Sequence, residues 1–294
     1  MPVSSPALRA APVGYGAMAL ERLIDDPAAG HRVLRRALEL GVDHIDTADF
    51  YGDGAVNDMI RRAVPYREDV LVVTKIGAVH HPGGPIPLRP AQKPEELRAA
   101  VEDNLRSLGR DRLDVVNLRR LDVGPGISAE GDQIVGLEDQ LETMVALREE
   151  GLIGGFGLSA VGPDAVRKAL PAGILCVQNA YSLVSREAED VLELCISEGI
   201  AWVPFFPLGS GLPGAVRVTD QPEVRAAAAR LGLSAAQIGL AWLLRHAPNT
   251  LLIPGTTNVD HLAENVASAR VELDRTTMAE LGGIWEVRRT QLTR

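Results

Sequence analysis

Apolar and polar positions follow one rhythm along most of the chain. From Val42 to Pro254, a short β-branched or aliphatic run gives way to a polar turn and then to a stretch with apolar residues at helical spacing. Runs at Val42 to Asp46, Val70 to Lys75, Leu113 to Leu118, Ile153 to Ser159, Leu175 to Asn179, Ala201 to Pro204 and Leu251 to Pro254 predict strands, and an earlier run near Val13 to Met18 brings the set to about eight. The amphipathic stretches predict helices over Ala28 to Leu40, Val56 to Val64, Pro94 to Leu108, Leu137 to Glu150, Pro163 to Leu170, Ala188 to Glu198, Ser234 to His246 and Val259 to Ala267. Pro94 with Glu95 and Glu96 marks one helix start, and Gly41, Gly109, Gly151 and Gly199 fall just past helix ends.

Strands alternating with helices imply parallel pairing through crossover helices. The alternation alone fits either an open doubly wound sheet or a closed barrel. Strand number and a length of 294 residues favour a single-domain α/β fold over 1–294, a (β/α)8 TIM barrel. In such a barrel the long connections His80 to Pro94 and Gly124 to Gly136, with Leu212 to Val218, lie at the C-terminal mouth, where specificity is set.

Composition narrows the class. With 46% hydrophobic and 23% charged residues the chain has ample material for one large core, which excludes disordered and disulfide-scaffold classes. A net charge of -9 repels polyphosphate, and Arg119-Arg120 and Arg288-Arg289 are too short for a basic patch, so no nucleic-acid partner is expected. No apolar run approaches the roughly 20 residues that cross a bilayer. Met1 to Ser5 lacks the features of a secretory leader, so no membrane partner and a cytoplasmic location are expected. Cys176 and Cys195 read as buried reduced thiols, and His80-His81 lacks a third ligand at fitting spacing, so no metal is expected.

Three stretches, beginning at Gly14, Gly155 and Gly209, loosely match G-x-G-x-x-G/A. The first two fall within strands and read as crowding at the barrel wall. The third, Gly209-Ser210-Gly211, follows a strand and is open to a phosphate-contacting role.

Candidate chemistry gathers at two strand ends. Asp46-Thr47-Ala48-Asp49-Phe50-Tyr51 follows one strand, and Lys75 ends another. A phenol exchanges protons poorly near neutrality unless a cation stabilises its phenolate. Lys75 is placed to keep the Tyr51 phenol acidic, with Asp46 holding the ammonium and Tyr51 donating a proton to a substrate oxygen.

At these residues the chain resembles the aldo-keto reductases. Gly41-Val42-Asp43-His44-Ile45-Asp46-Thr47-Ala48-Asp49-Phe50-Tyr51-Gly52 is similar to the family's G-x-x-x-[FI]-D-T-A-x-x-Y-G signature. The likeness continues through Val73-Thr74-Lys75, Gly151 to Ser159, Val177-Gln178-Asn179-Ala180-Tyr181 and Pro254-Gly255-Thr256 to Glu264-Asn265. It implies a reductase of a small carbonyl compound that uses NADPH, with NADH as the alternative. Ser159 and Gln178 would then bind the nicotinamide carboxamide and Phe205 would stack on its ring. Leu208, Gly209 and Ser210 would flank the pyrophosphate, and Gly255, Thr256, Thr257, His261, Glu264 and Asn265 would meet the adenosine end.

Two departures stand out. The family usually has His where this chain has Arg119, which could polarise the carbonyl, bind a substrate anion, lower the Tyr51 pKa further, or turn aside to a local carboxylate. Lys and Arg of many NADPH-preferring members are replaced by Gly255 and His261, a thinner clamp for the 2'-phosphate. The strand Asn117-Leu118-Arg119, with Pro204 to Gly209 and Leu251 to Thr256, is similar to a bacterial subgroup that includes pyridoxal reductase, which makes pyridoxal the first substrate to consider. Arg119 also keeps open a nucleotide-binding barrel without turnover, as sensor or accessory subunit, and a non-redox cyclase or dehydratase.

Overall fold

Parallel pairing of successive strands organises the computed structural model, which describes residues 8–64, 69–83, 86–209 and 215–292. The strands are β1 (Tyr15–Gly16), β2 (His44–Asp46), β3 (Leu71–Ile76), β4 (Ala78–His80), β5 (Leu88–Pro90), β6 (Leu113–Arg119), β7 (Ile153–Ser159), β8 (Cys176–Gln178) and β9 (Ala201–Trp202). Seven of them run parallel in the order β1-β2-β3-β6-β7-β8-β9. Residues 250–254 close the cylinder between β9 and β1. They do so through bridges Trp202 to Thr250 and Val13 to Leu252, with Leu251 N donating to Trp202 O at 2.8 Å and Gly14 N to Leu252 O at 2.8 Å. The result is the (β/α)8 barrel expected.

The differences lie at the closing seam and in weakly patterned helices. The strand expected over Leu251 to Pro254 is reduced to bridges because Pro12 and Pro254 bring no amide hydrogen to a ladder. The strand expected to Met18 stops at Gly16, and Ala17–Leu23 coils into a 3-10 helix that buries Ala17 and Leu20, three residues apart. The connection expected as a loop over His80 to Pro94 contains the antiparallel hairpin β4–β5. Helices α1 (Pro27–Glu39), α2 (Ala55–Ala63), α3 (Pro94–Leu108), α4 (Leu137–Glu149), α5 (Pro163–Ala169) and α6 (Glu189–Ser197) fall where expected, as do α8 (Ala235–His246) and α9 (Val259–Ala267). Two helices escaped the pattern. α7 (Pro222–Leu231) buries only Val224 and two alanines, and α10 (Arg275–Leu292) carries Gly282-Gly283 and three threonines, all poor signals of a helical face.

Every second strand residue faces the barrel axis. Leu8, Ala10, Val73, Val115, Cys176, Val203, Leu251 and Ile253 fill the interior as an apolar plug. The alternate residues, such as Val72, Val116 and Phe156, pack on the helices in a second, larger core with Leu34, Ile60, Val101 and Met144. Gly157 shows why this wall needs glycine: a Cβ there would collide with Asn117 Oδ1 and with Cys176. Both cysteines are buried and free, and burial pushes the Cys176 thiol up to about 12, which leaves it unreactive. No single helix is long and apolar enough to cross a membrane among the described residues.

One polar knot ties α6 to α8. Glu189 accepts from Tyr181 Oη at 2.6 Å and Arg186 Nε at 2.6 Å, and its other oxygen lies 2.8 Å from His246 Nε2. Burial alone would raise the Glu189 carboxyl, but these bonds outweigh it and bring it from 4.5 to about 2. A depressed carboxylate stabilises the fold above its unfolded value, and the contribution fades as pH falls toward 2. Glu189→Gln is therefore expected to lose about 2 kcal/mol at neutral pH after discounting for partial exposure. Urea unfolding should show the gap to the native protein shrinking below pH 4.5.

Candidate active site

The carboxylate and the ammonium reach one point from adjacent strands. Asp46 is the last residue of β2, which pairs with β3 so that Asp46 lies opposite Val73, and Lys75 is the next inward residue of β3. Lys75 Nζ donates to Asp46 Oδ1 at 2.5 Å and to Thr47 O at 3.0 Å. Gln178 Nε2, on β8 across the barrel, donates to the second Asp46 oxygen at 2.6 Å. Both members of the ion pair are buried.

Tyr51 enters from the turn between β2 and α2, where Tyr51 N bonds Ala48 O at 3.1 Å and Gly54 N bonds Asp49 O at 2.7 Å. The Lys75 ammonium lies 5.1 Å from the centroid of its ring. Phe50 meets it edge-on with centroids 5.2 Å apart, and Leu88 of the β4–β5 hairpin and Ile127 of the loop after β6 pack into the same cluster. Both long connections expected at the mouth thus pack on the cluster that carries Tyr51.

This packing corrects the expectation of an acidic phenol. Burial pushes the Tyr51 hydroxyl above its usual 10.0, although Tyr51 keeps some exposed surface. The Lys75 charge pulls it down, the Asp46 carboxylate partly cancels that pull, and Arg119 adds a weaker downward one. Desolvation wins, so Tyr51 is a neutral phenol in the free protein. For Lys75 the balance is reversed: burial alone would lower it, but Asp46 and Tyr51 together hold it above 10.5.

A buried amide scaffold that sequence reasoning missed holds these strand ends. Thr47 Oγ1 donates to Asn57 Oδ1 at 2.8 Å, while Asn57 Nδ2 donates to Asn104 Oδ1 at 3.2 Å and to Ser107 Oγ at 2.9 Å. Thr74 Oγ1 donates to Asn104 Oδ1 at 2.5 Å. Thr47 and Thr74 each adjoin a site residue but face the helices, so they fix β2 and β3 to α2 and α3. Polar residues at outward strand positions were the available signal.

Arg119, the last residue of β6, stands beside Ser159 of β7, which in turn stands beside Gln178. Among the described residues it does not turn aside to a carboxylate. The neighbouring Arg120 does, donating to Asp122 at 3.1 Å and to Gln140 Oε1 at 2.6 Å. Burial lowers the Arg119 guanidinium from its usual value, and Tyr51 is the group whose charge acts against that shift.

The residues expected to bind nicotinamide have the right character for a carboxamide. Gln178 Oε1 is buried without a partner among the described residues, and buried Ser159 lies next to it on β7. Phe205, half-buried, pairs in a bridge with Ala180 and meets Phe206 edge-on at 5.1 Å. Leu208 and Gly209 follow at the same rim, whereas Ser210 lies outside the described residues. Thr256, Thr257 and Glu264 are half-buried, Asn265 is buried, and His261 is exposed. Asn258 caps α9 by accepting from Asp260 N at 2.7 Å and His261 N at 3.2 Å, so two first-turn amides are already used. Gly255 crosses Gly16 so closely that a Cβ would stand 2.6 Å from Gly16 O, which excludes any longer residue unless the backbone moves. A cleft of about 850 Å³ between Arg9, Asp69, Arg112 and Leu175 opens at the other, N-terminal end of the strands, away from this cluster.

The C-terminal mouth of this barrel thus brings a half-buried phenol beside a buried ammonium–carboxylate pair, with Ser159 and Gln178 on neighbouring strands. That combination defines a class of barrel oxidoreductases. The chain belongs to the aldo/keto reductase family, which it matches over residues 12–286. It is 44% identical over 280 residues to pyridoxine 4-dehydrogenase of Escherichia coli K12, covering 92% of this chain and 94% of that protein. An uncharacterized oxidoreductase of Schizosaccharomyces pombe is 35% identical over 92% of this chain and 85% of its own length. The crystal structure of an aldo-keto reductase from Klebsiella pneumoniae in complex with NADPH is similar at 25% identity with a TM-score of 0.78, covering 94% of this chain and 91% of that one.

Proposed function

We propose that the protein reduces an aldehyde to the alcohol with NADPH as hydride source, and that pyridoxal is the first substrate to test. The observation that carries this reading is the neutral Tyr51 hydroxyl held beside the Lys75–Asp46 pair. Reduced nicotinamide, when bound, supplies the hydride to the carbonyl carbon. Ser159 and Gln178 would hold its carboxamide, and Phe205 would lie against the ring. Tyr51 gives its proton to the carbonyl oxygen as negative charge develops there. Lys75 and Arg119 then face a phenolate rather than a phenol, and their charges offset its desolvation until solvent returns the proton. Asp46 keeps the ammonium aimed at that oxygen. The named relative in Escherichia coli supports the choice of substrate, because pyridoxine is the alcohol of the same couple.

The test follows NADPH and NADH absorbance with a panel of aldehydes that includes pyridoxal, beside Tyr51→Phe. Turnover of at least one aldehyde that depends on Tyr51 is expected. Turnover left intact by the substitution would refute the assignment of the acid, and cofactor binding without turnover on any aldehyde would move the reading to a nucleotide-sensing barrel. With Gly255 and His261 in place of basic residues, the preference for NADPH over NADH is expected to be modest, about tenfold or less in kcat/KM.

A further inference from the structure

Arg119 is the mouth's uncompensated charge. Its side chain makes no hydrogen bond or ion pair among the described residues, although it is half-buried and its own backbone carbonyl is well held by Gln92 Nε2 at 2.8 Å. Lys75, the other cation of the mouth, is already matched by Asp46. A partly desolvated guanidinium without a counter-ion is costly, and the cost is offset only when an anion arrives.

The topology says which anion this is. β6 and residues 250–254 stand on opposite sides of the eight-membered cylinder, so Arg119 is across the mouth from Gly255, Thr256 and α9, the residues expected at the adenosine end, and β9, which leads to the residues expected at the pyrophosphate, is three strands away. The counter-ion must come from the substrate. Tyr51, which addresses the carbonyl oxygen, is also the group that acts electrostatically on Arg119. On the far side, a Cβ on Gly126 would lie 3.1 Å from Arg119 Nη2, so the loop after β6 passes directly over the fork. The anionic oxygen therefore belongs close to the reacting carbonyl, where a planar guanidinium can direct parallel N–H bonds at two coplanar oxygens.

We propose that Arg119 determines specificity by binding an anionic oxygen carried on the group next to the substrate's carbonyl carbon, as in an aldehyde flanked by an ionised hydroxyl or a carbonyl joined to a carboxylate. This rests on the reductase reading above. Arg119 is thereby a substrate-binding residue as well as an electrostatic partner of Tyr51.

Three aromatic aldehydes test it: nitrosalicylaldehyde, whose phenol is ionised at neutral pH, its O-methyl ether, and the isomer with the phenolate para to the aldehyde. A charge-assisted bond predicts that kcat/KM for the first exceeds the other two by about 10- to 100-fold. Arg119→Gln should bring the three to within about threefold of one another, and Arg119→Lys should restore part of the preference. Equal rates on all three in the native protein would overturn the inference while leaving the reductase standing. Should no aldehyde be turned over, the reductase reading fails, and the anion site is decided by absorbance titration of nitrosalicylaldehyde against protein with NADP+. Binding weakened about 10-fold or more by Arg119→Gln supports it. Binding indifferent to that change overturns it.

Discussion

Replacing Tyr51 by Phe is expected to lower kcat for aldehyde reduction about 100- to 10,000-fold while leaving cofactor binding and thermal stability close to those of the native protein. The change removes one oxygen from a ring that meets Phe50 edge-on and packs on the same apolar cluster as Leu88 and Ile127. Lys75 keeps its bonds to Asp46 and Thr47 O, so no buried charge is stranded. Stopped absorbance assays at saturating NADPH, with cofactor fluorescence quenching as the binding control, separate the two effects. The pH dependence carries a second expectation. Because burial holds the phenol above 10.0, it stays protonated through the neutral range, and kcat for reduction should be flat from about pH 6 to 9 as far as this group governs it. Oxidation of the corresponding alcohol needs the phenolate and should climb with pH across the same interval. A reduction rate that falls with an apparent pKa near 7 would show a different acid.

Much of this site could be read from the chain because it is made at strand ends. Asp46 and Tyr51 lie five positions apart, and the alternation that turns Val73 inward turns Lys75 inward as well. What escaped was set by residues distant in sequence. Tyr51 packs on the same apolar cluster as Leu88 and Ile127, which come from two different connections, and burial outweighs the pKa shift that Lys75 alone would impose. The Asn57–Asn104 bond spans 47 positions, and no local pattern announces it. Adjacent Arg119 and Arg120 have the same side chain and opposite fates: one faces the axis and meets no carboxylate among the described residues, while the other faces Asp122 and Gln140. Periodicity carries the alternation of strands and helices, and strand number with length carries the barrel, whereas the closing seam at Leu252 is shorter than the strand expected there because apolar runs ending in proline look alike whether or not they complete a ladder.

The Lys75–Asp46 pair should separate fold from chemistry. Lys75→Met leaves the Asp46 carboxylate buried with Gln178 Nε2 as its remaining side-chain donor, and removing one partner of a buried pair costs about 3–5 kcal/mol. For a chain of this size that is on the order of 10 °C in Tm. Reduction should fall as well, since Tyr51 loses the largest influence that lowers its pKa. Adding Asp46→Asn to Lys75→Met removes the stranded charge while keeping the bond from Gln178 possible, so the double variant should regain about 2 kcal/mol or more of the lost stability. Its kcat should stay at least about 100-fold down, because stability was restored without restoring a cation beside the phenol. The native pair is also in force at neutral pH: an ammonium held above 10.5 beside a charged carboxylate stabilises the fold through the neutral range and loses that contribution on the alkaline side only as pH rises through its shifted value. Thermal scans of the three proteins from pH 6 to 10, with kcat measured on the same samples, decide the matter. A double variant that recovers activity along with stability would mean that Lys75 only fills and neutralises its site, and that the proton reaches the substrate without its help.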